Sequence, residues 1–440
     1  MLAGLLVGLW LLVDLRLTSL LAWTERCAPV TRYPALFAGY FATWVALRLA
    51  RGPGQRRAAL LSGSLVCAAI FDPGFLLLSL AWIVVLHRIL FGRSPRRVRR
   101  AWVFVGVSYL ALAVACSRDL FPDLVTARPW LARWGYVFAV GYTFRLAWLL
   151  HQVRVQGTRD LPLGDCVTYF VFAPFFLIVP YMLAIPRCDR FCAGLDRHDP
   201  AIERSGLRLI AWGIALTLAE AALLHYYDPS GQGYAAWVAG DHLAALGHGL
   251  LSYPPFGLLH ATAIAAILIG LVRVLGIDLG PSFDRPALAR SVTDWWRRWN
   301  IHFRELLVDL FYYPVVMRHR RRPTRAIVLG CAAVFLVGSV LFHLPKTYFT
   351  YGRAGALPVG LLVESAIMFV VVAAALVRER RQPDRRPHPL LGPLVTWLVL
   401  FVAVAVAGRG AEQAWKRRVL DLPAPIIADT ARSPHVFPER

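Results

Sequence analysis

The stretch Ala326-Ile327-Val328-Leu329-Gly330-Cys331-Ala332-Ala333-Val334-Phe335-Leu336-Val337-Gly338-Ser339-Val340-Leu341-Phe342-His343-Leu344-Pro345 contains no Asp, Glu, Lys or Arg. It follows directly on the basic run Arg318-His319-Arg320-Arg321-Arg322-Pro323-Thr324-Arg325. About 20 apolar residues are what a helix needs to cross the hydrocarbon of a bilayer. Arginines at one end are the mark of a cytoplasmic loop. This pair of features fixes the class, because the chain repeats it. Apolar runs occur near 2–23, 33–50, 59–71, 75–91, 101–117, 136–155, 166–185, 207–227, 251–277, 326–345, 356–377 and 390–408. Their hydrophobicity is continuous, not alternating, so helices are expected and a β-barrel is not. The fold class is all-α: a polytopic membrane protein of about 10–12 transmembrane or half-inserted helices.

Composition agrees. Of 440 residues, 58% are hydrophobic, against about 45–50% in an ordinary soluble domain. The net charge of +22 does not signal nucleic acid, which asks for one contiguous basic face. The arginines instead fill short loops at 51–58, 92–100, 318–325 and 378–386, all expected on the cytoplasmic side next to anionic lipid. Counting crossings between these loops closes at both ends of the chain. Between 101 and 280 it leaves one over, so one segment there is expected to be half-inserted. The run 59–71 is too short to cross alone, and Asp72-Pro73-Gly74 reads as the turn of a tilted or re-entrant hairpin with 75–91.

The apolar start at Leu2 lacks a basic leader and holds Asp14 and Arg16, so it reads as a retained helix. One membrane domain over 1–408 and a polar tail over 409–440 are expected. Cys67, Cys116, Cys166 and Cys331 lie in or beside apolar runs, where Cys is a small hydrophobe. Cys188 and Cys192 have no second pair, and no metal site is expected.

The segment 280–325 differs in kind. Ser291-Val292-Thr293-Asp294-Trp295-Trp296-Arg297-Arg298-Trp299-Asn300 is too polar to span and too apolar for a free loop. Trp with Arg suits interfacial or re-entrant structure, rings among the headgroups and guanidinium groups toward phosphate. Ser291 or Thr293 is the expected helix cap.

Phe283-Asp284-Arg285-Pro286-Ala287-Leu288-Ala289-Arg290, running on through Ser291 to Trp299, resembles the signature of the membrane-bound O-acyltransferases. It is most similar to the bacterial branch that acetylates alginate or transfers D-alanine to teichoic acid. The likeness extends to Ile269-Gly270-Leu271 and Arg273-Val274-Leu275-Gly276-Ile277 upstream, and to Asp309, Tyr312, Tyr313 and Pro314 downstream. It covers about 50 residues strongly. The family's essential histidine lies in a transmembrane helix beyond the signature, and His343, 43 positions after Asn300, stands there. The position that the bacterial branch fills with a first histidine is Asn300.

The resemblance implies a membrane O-acyltransferase, with His343 and Asn300 as catalytic residues. Acyl transfer needs a base for the hydroxyl proton and donors for the developing oxyanion. Imidazole is the usual base near pH 7. An amide can orient or donate, but is no base. The donor is expected to be acyl-CoA or another acyl thioester met from the cytoplasm, with no tightly bound cofactor. Arg297 and Arg298 are candidates for its phosphates, beside Trp296 and Trp299; binding lipid headgroups is the alternative. Asp294, Asp309 and Glu364 are candidates to support these residues from behind. Arg145, Glu220, Arg273, His225 and His260 also sit in or near apolar runs, where each needs a partner or a watery cavity.

Expected partners are membrane lipid, the acyl donor, a carbohydrate or lipid acceptor, and an accessory acyl-carrier or periplasmic protein. No nucleic acid is expected. O-acetylation at the cell inner membrane, multi-pass, fits the bacterial branch. A transporter or flippase is the competing class, since buried charges also line substrate paths. The lack of visible internal repeats speaks against it. A catalytically inactive scaffold is the third reading, motivated by Asn300.

Overall fold

The computed structural model describes residues 1–14, 30–92, 96–157, 160–177, 186–197, 199–226, 258–351, 353, 357–382 and 391–403, with isolated positions between 236 and 248. The expected polar tail at 409–440, and Arg385 and Arg386 of the last basic loop, lie outside them. Among the described residues the chain is helical, with no strand. Among the described residues five helices are long and apolar enough to cross a membrane: Pro73–Phe91, Arg97–Ala115, Pro200–Leu223, Pro323–Phe349 and Val359–Arg381.

The described residues fall into two compact units. One comprises the described positions of 1–215 and 263–280 together with 353; the other takes those of 216–262, 281–351 and 357 onward. In the first unit, Tyr33–Leu49 lies against Pro53–Phe71, and Gly63 leaves room for the Thr43 side chain at their crossing. The run expected at 59–71 is thus a 19-residue helix that begins at Pro53. Proline at the first position costs no hydrogen bond, so it starts the helix inside the expected basic loop. Arg56 is thereby buried, at 5% exposure, rather than placed in a loop.

The turn at Asp72 is a helix cap. The Asp72 carboxylate accepts from the Phe75 N–H at 3.0 Å and Pro73 opens Pro73–Phe91, a pairing that fixes one helix's end and the next one's start.

The span expected at 166–185 begins instead as two short helices, Leu163–Phe170 and Pro174–Leu177. Pro174 cannot continue the first helix, and the Ser64 hydroxyl accepts the Ala173 N–H left over at the break, at 3.2 Å. Helix Pro200–Tyr226 meets Leu258–Val274 through glycine. A methyl group on Gly270 would stand 2.7 Å from the Gly206 carbonyl oxygen, and small residues at such crossings let apolar helices pack backbone to backbone.

Most charges that the sequence placed in apolar runs have partners. Arg145, 2% exposed, donates to the Phe170 carbonyl and lies 3.3 Å from the Phe175 ring centre. Arg273 donates to the Leu279 carbonyl at 2.8 Å and the Ser205 hydroxyl at 2.9 Å. In the second unit, Glu220 and His260 pair at 3.0 Å. The side chain of His225 lies outside the described set.

Candidate active site

The signature segment belongs to the second unit. Its frame is backbone. The Asp284 N–H donates to the Arg298 carbonyl at 3.0 Å and the Ile301 N–H to the Ser282 carbonyl at 2.8 Å. Three steps along 298–301 thus face two along 282–284, and Asn300 takes up the extra residue in the left-handed conformation, φ 43°. Asn and His are among the few non-glycine residues that adopt this region readily. The backbone therefore accepts Asn where the resembled family's bacterial branch carries His. Arg285, φ 48°, makes the other sharp turn.

Between these turns runs the short helix Val292–Arg298. Of the two expected caps it is Ser291 whose hydroxyl accepts the Asp294 N–H, at 3.1 Å. Asp294 then accepts from the Arg290 N–H at 3.0 Å and pairs with Arg298 at 2.7 Å. Burial alone pushes the Asp294 carboxyl up, but the bond from Arg298, the Arg290 N–H and the charges of Arg298 and Arg297 outweigh it and hold it below the ordinary carboxylate range. Trp295 is 4% exposed and stacks on Trp299, which packs on Phe283, with ring centres 5.2 and 4.7 Å apart. Trp296 packs on Phe335. Thr293, 2% exposed, donates to the Glu379 carboxylate, which also takes Arg297 at 3.3 Å.

Asn300 then opens the helix Ile301–Leu307. This continues through the π-turn Val308–Tyr312 into Tyr313–Arg318. Pro323–Phe349 packs along it, and glycine sets the fit. A methyl group on Gly338 would meet Phe311 at 2.8 Å and Leu307 at 2.9 Å; one on Gly330 would meet Tyr312 at 2.7 Å. Both helices carry a π-turn, 308–312 on one and Ala333–Gly338 on the other, a feature frequent at functional sites.

The consequence is the position of His343. Its imidazole stands edge-to-face on Phe303, 5.6 Å between ring centres, and Phe303 lies one turn past Asn300. His343 Nδ1 is 2.8 Å from the Ser339 carbonyl oxygen. A carbonyl only accepts, so Nδ1 carries the proton and Nε2 presents its lone pair. That is the form a general base takes.

The structure thus brings His343 against the helix that Asn300 caps. Arg297 and Arg298 already hold carboxylates, and Trp296 and Trp299 are packing residues of the same segment. Asp294 anchors the signature helix. Asp309 lies in the 308–312 turn and Glu364, half-buried, in Val359–Arg381. His302 is buried at 6% exposure. Sequence reasoning missed Glu379 and Ser282. The sign of Glu379, an acid inside Arg378-Glu379-Arg380-Arg381, was the available signal for the first. Nothing in the sequence marked the second.

Fold and site together define a polytopic helical membrane protein whose arginine- and tryptophan-rich segment packs against a histidine-bearing span. No family model matches the chain. The chain is 30% identical over 156 residues to the probable long-chain-alcohol O-fatty-acyltransferase 7 of Arabidopsis thaliana. It is 32% identical over 158 residues to number 8 of that series and 31% identical over 150 residues to number 1. These matches cover 34%, 34% and 32% of the chain, and 44%, 45% and 41% of the relatives. The chain thus spans less than half the length of the curated relatives it matches.

Proposed function

We propose that the protein is a membrane-embedded O-acyltransferase that moves an acyl group from a thioester to the hydroxyl of a lipid-like alcohol. Two likenesses support this reaction type: the signature segment, and relatives whose names specify long-chain-alcohol O-fatty-acyl transfer. The names favour a long-chain alcohol over a carbohydrate as acceptor. The likeness to the alginate and teichoic-acid branch rests on the signature and its flanks, and none of the relatives named above is of that branch. Acyl-CoA, or an equivalent thioester, is the proposed donor. The cell membrane, with the basic loops cytoplasmic, is the proposed location.

The observation that carries the mechanism is the His343 Nδ1 contact with the Ser339 carbonyl. It leaves Nε2 to take the proton of the alcohol as its oxygen attacks the thioester carbon. A C–O bond forms, the C–S bond breaks, and the same proton passes from Nε2 to the departing thiolate. Asn300 supplies the amide that steadies the carbonyl oxygen as charge builds there.

The test is transfer by the purified full chain from a radiolabelled C16 acyl-CoA, against a C16 primary alcohol and a sugar acceptor. Labelled wax ester is the expected product. Acylation of the sugar alone would overturn the acceptor assignment. Absence of transfer to either would favour a scaffold or transporter.

A further inference from the structure

The chain holds 48 lysines and arginines, and just two of them are lysines, Lys346 and Lys416. Lys416 lies outside the described residues. Where a positive charge alone serves, as in the basic loops, this chain uses arginine. Lys346 stands instead inside the span Pro323–Phe349, three residues after His343. Residues three apart on a helix are neighbours, with about 5–6 Å between Cβ atoms. Lys346 and His343 are close enough to interact electrostatically.

The faces of this helix separate lipid from interior. Val337, Leu341 and Leu344 form an exposed stripe. Phe342 and Phe349 are buried, and Lys346, half-buried, falls between them on the same stripe. Phe342 packs on Phe303 and Phe311, so this stripe faces the helix that Asn300 opens and its π-turn. A lysine that only reaches for headgroups belongs on the lipid stripe. An ionisable group on the inner face of a span meets a partner or a substrate path.

The chemistry beside His343 calls for a cation. As the alcohol oxygen attacks, its proton goes to Nε2 and the carbonyl electron pair moves onto oxygen. The steps above meet that charge with one neutral amide. Fixed donors aimed at this atom are a main source of acyl-transfer catalysis. An ammonium is a compact point charge with three N–H groups, whereas a guanidinium is a broad planar fork.

We propose that Lys346 is a further catalytic residue, its ammonium donating to the acyl carbonyl oxygen while the tetrahedral intermediate stands beside His343. Lys346 keeps its proton throughout. The electron pair returns to re-form C=O, the C–S bond breaks, and Nε2 passes the alcohol's proton to the thiolate. The proposal rests on the acyltransferase reading, and its test separates the two.

Purified full-chain variants are assayed with C16 acyl-CoA and a C16 alcohol. Lys346→Met should lower kcat about 10²–10³-fold, the scale of one oxyanion donor, with both KM values within about threefold of wild type. Lys346→Arg should recover only part of that loss. Lys346→Cys should be as slow as Lys346→Met. Its alkylation with 2-bromoethylamine, which rebuilds a side chain of lysine's length ending in an ammonium, should restore most of kcat. Iodoacetamide, which leaves a neutral amide, should not. Glu364 stands five residues into Val359–Arg381, as Lys346 stands five residues before the end of Ser339–Tyr351, so a purely structural ion pair between them is the rival. That rival predicts recovery when Glu364→Gln is added to Lys346→Met; the proposal predicts a double variant no faster than Lys346→Met.

A kcat for Lys346→Met within about tenfold of wild type would overturn the role. So would full activity in Lys346→Arg, a rise in KM alone, no gain from 2-bromoethylamine, or recovery in the double variant. Absence of transfer by wild type would overturn the acyltransferase reading, and this role with it.

Discussion

Truncating His343 to alanine separates the rate from the fold. A positioned general base contributes about 10²–10⁴-fold, or about 2.7–5.4 kcal/mol of barrier at 1.36 kcal/mol per tenfold. The packing it removes is small. His343 is half-buried and makes one edge-to-face contact with Phe303, at 5.6 Å and 79°. Such a pair contributes about 0.5–1.5 kcal/mol. The neighbouring Phe342 keeps its own contact with Phe303 at 6.0 Å, so the helix stays seated. The loss should therefore appear in kcat, with both KM values within about threefold of wild type. The assay is thiol release from C16 acyl-CoA in the presence of a C16 alcohol, after gel filtration shows an unchanged peak. His343→Gln, which retains polarity but no base, should fall as far. A well-folded His343→Ala with kcat within tenfold of wild type would refute the assignment, because some other group would then be taking the proton.

Four further outcomes follow from the packing and the charges. Gly206→Ala places its methyl 2.8 Å from the backbone of Gly270 and Val274; backbone cannot rotate away, so unfolding in detergent should shift by about 1–3 kcal/mol. Gly106→Ala, with nothing within 4 Å, should be neutral or up to about 1 kcal/mol stabilising. Asp294 titrates below its unfolded value of about 4, so its contribution is complete above that pH and is lost as pH falls through the lower folded value. Thermal melts between pH 5 and 3 should show Asp294→Asn flatter than wild type, and parallel curves would contradict the Arg298 clasp. Glu379→Ala should destabilise by about 1 kcal/mol and raise hydrogen exchange over 292–300, whereas Glu379→Gln, still able to accept from Thr293, should keep most of both; the Arg297 pair, 59% and 43% exposed, adds little.

The amino-acid order alone determined the helical membrane class, because crossing hydrocarbon imposes a length and a polarity that can be read along one dimension. It also picked out the segment 280–325, since charge beside tryptophan is a local anomaly, and the resemblance of that segment pointed on to His343. Local chemistry read Asp72 as a turn and narrowed the cap of the signature helix to Ser291 or Thr293, through side chains that reach only a few residues. What it left open depended on contacts between distant positions. The length of the helix from Pro53, the break before Pro174, and the burial of Arg56 were decided by what packs alongside. The tautomer of His343 depends on a carbonyl one turn away, and its approach to Phe303 depends on Gly330 and Gly338 admitting Tyr312 and Phe311. Glu379 lies 82 residues from Arg297, and Ser282 becomes a neighbour of Asn300 only through a backbone bond across a left-handed turn. Side-chain type is written in the sequence, but whether a buried polar atom has a partner is a property of the folded neighbourhood.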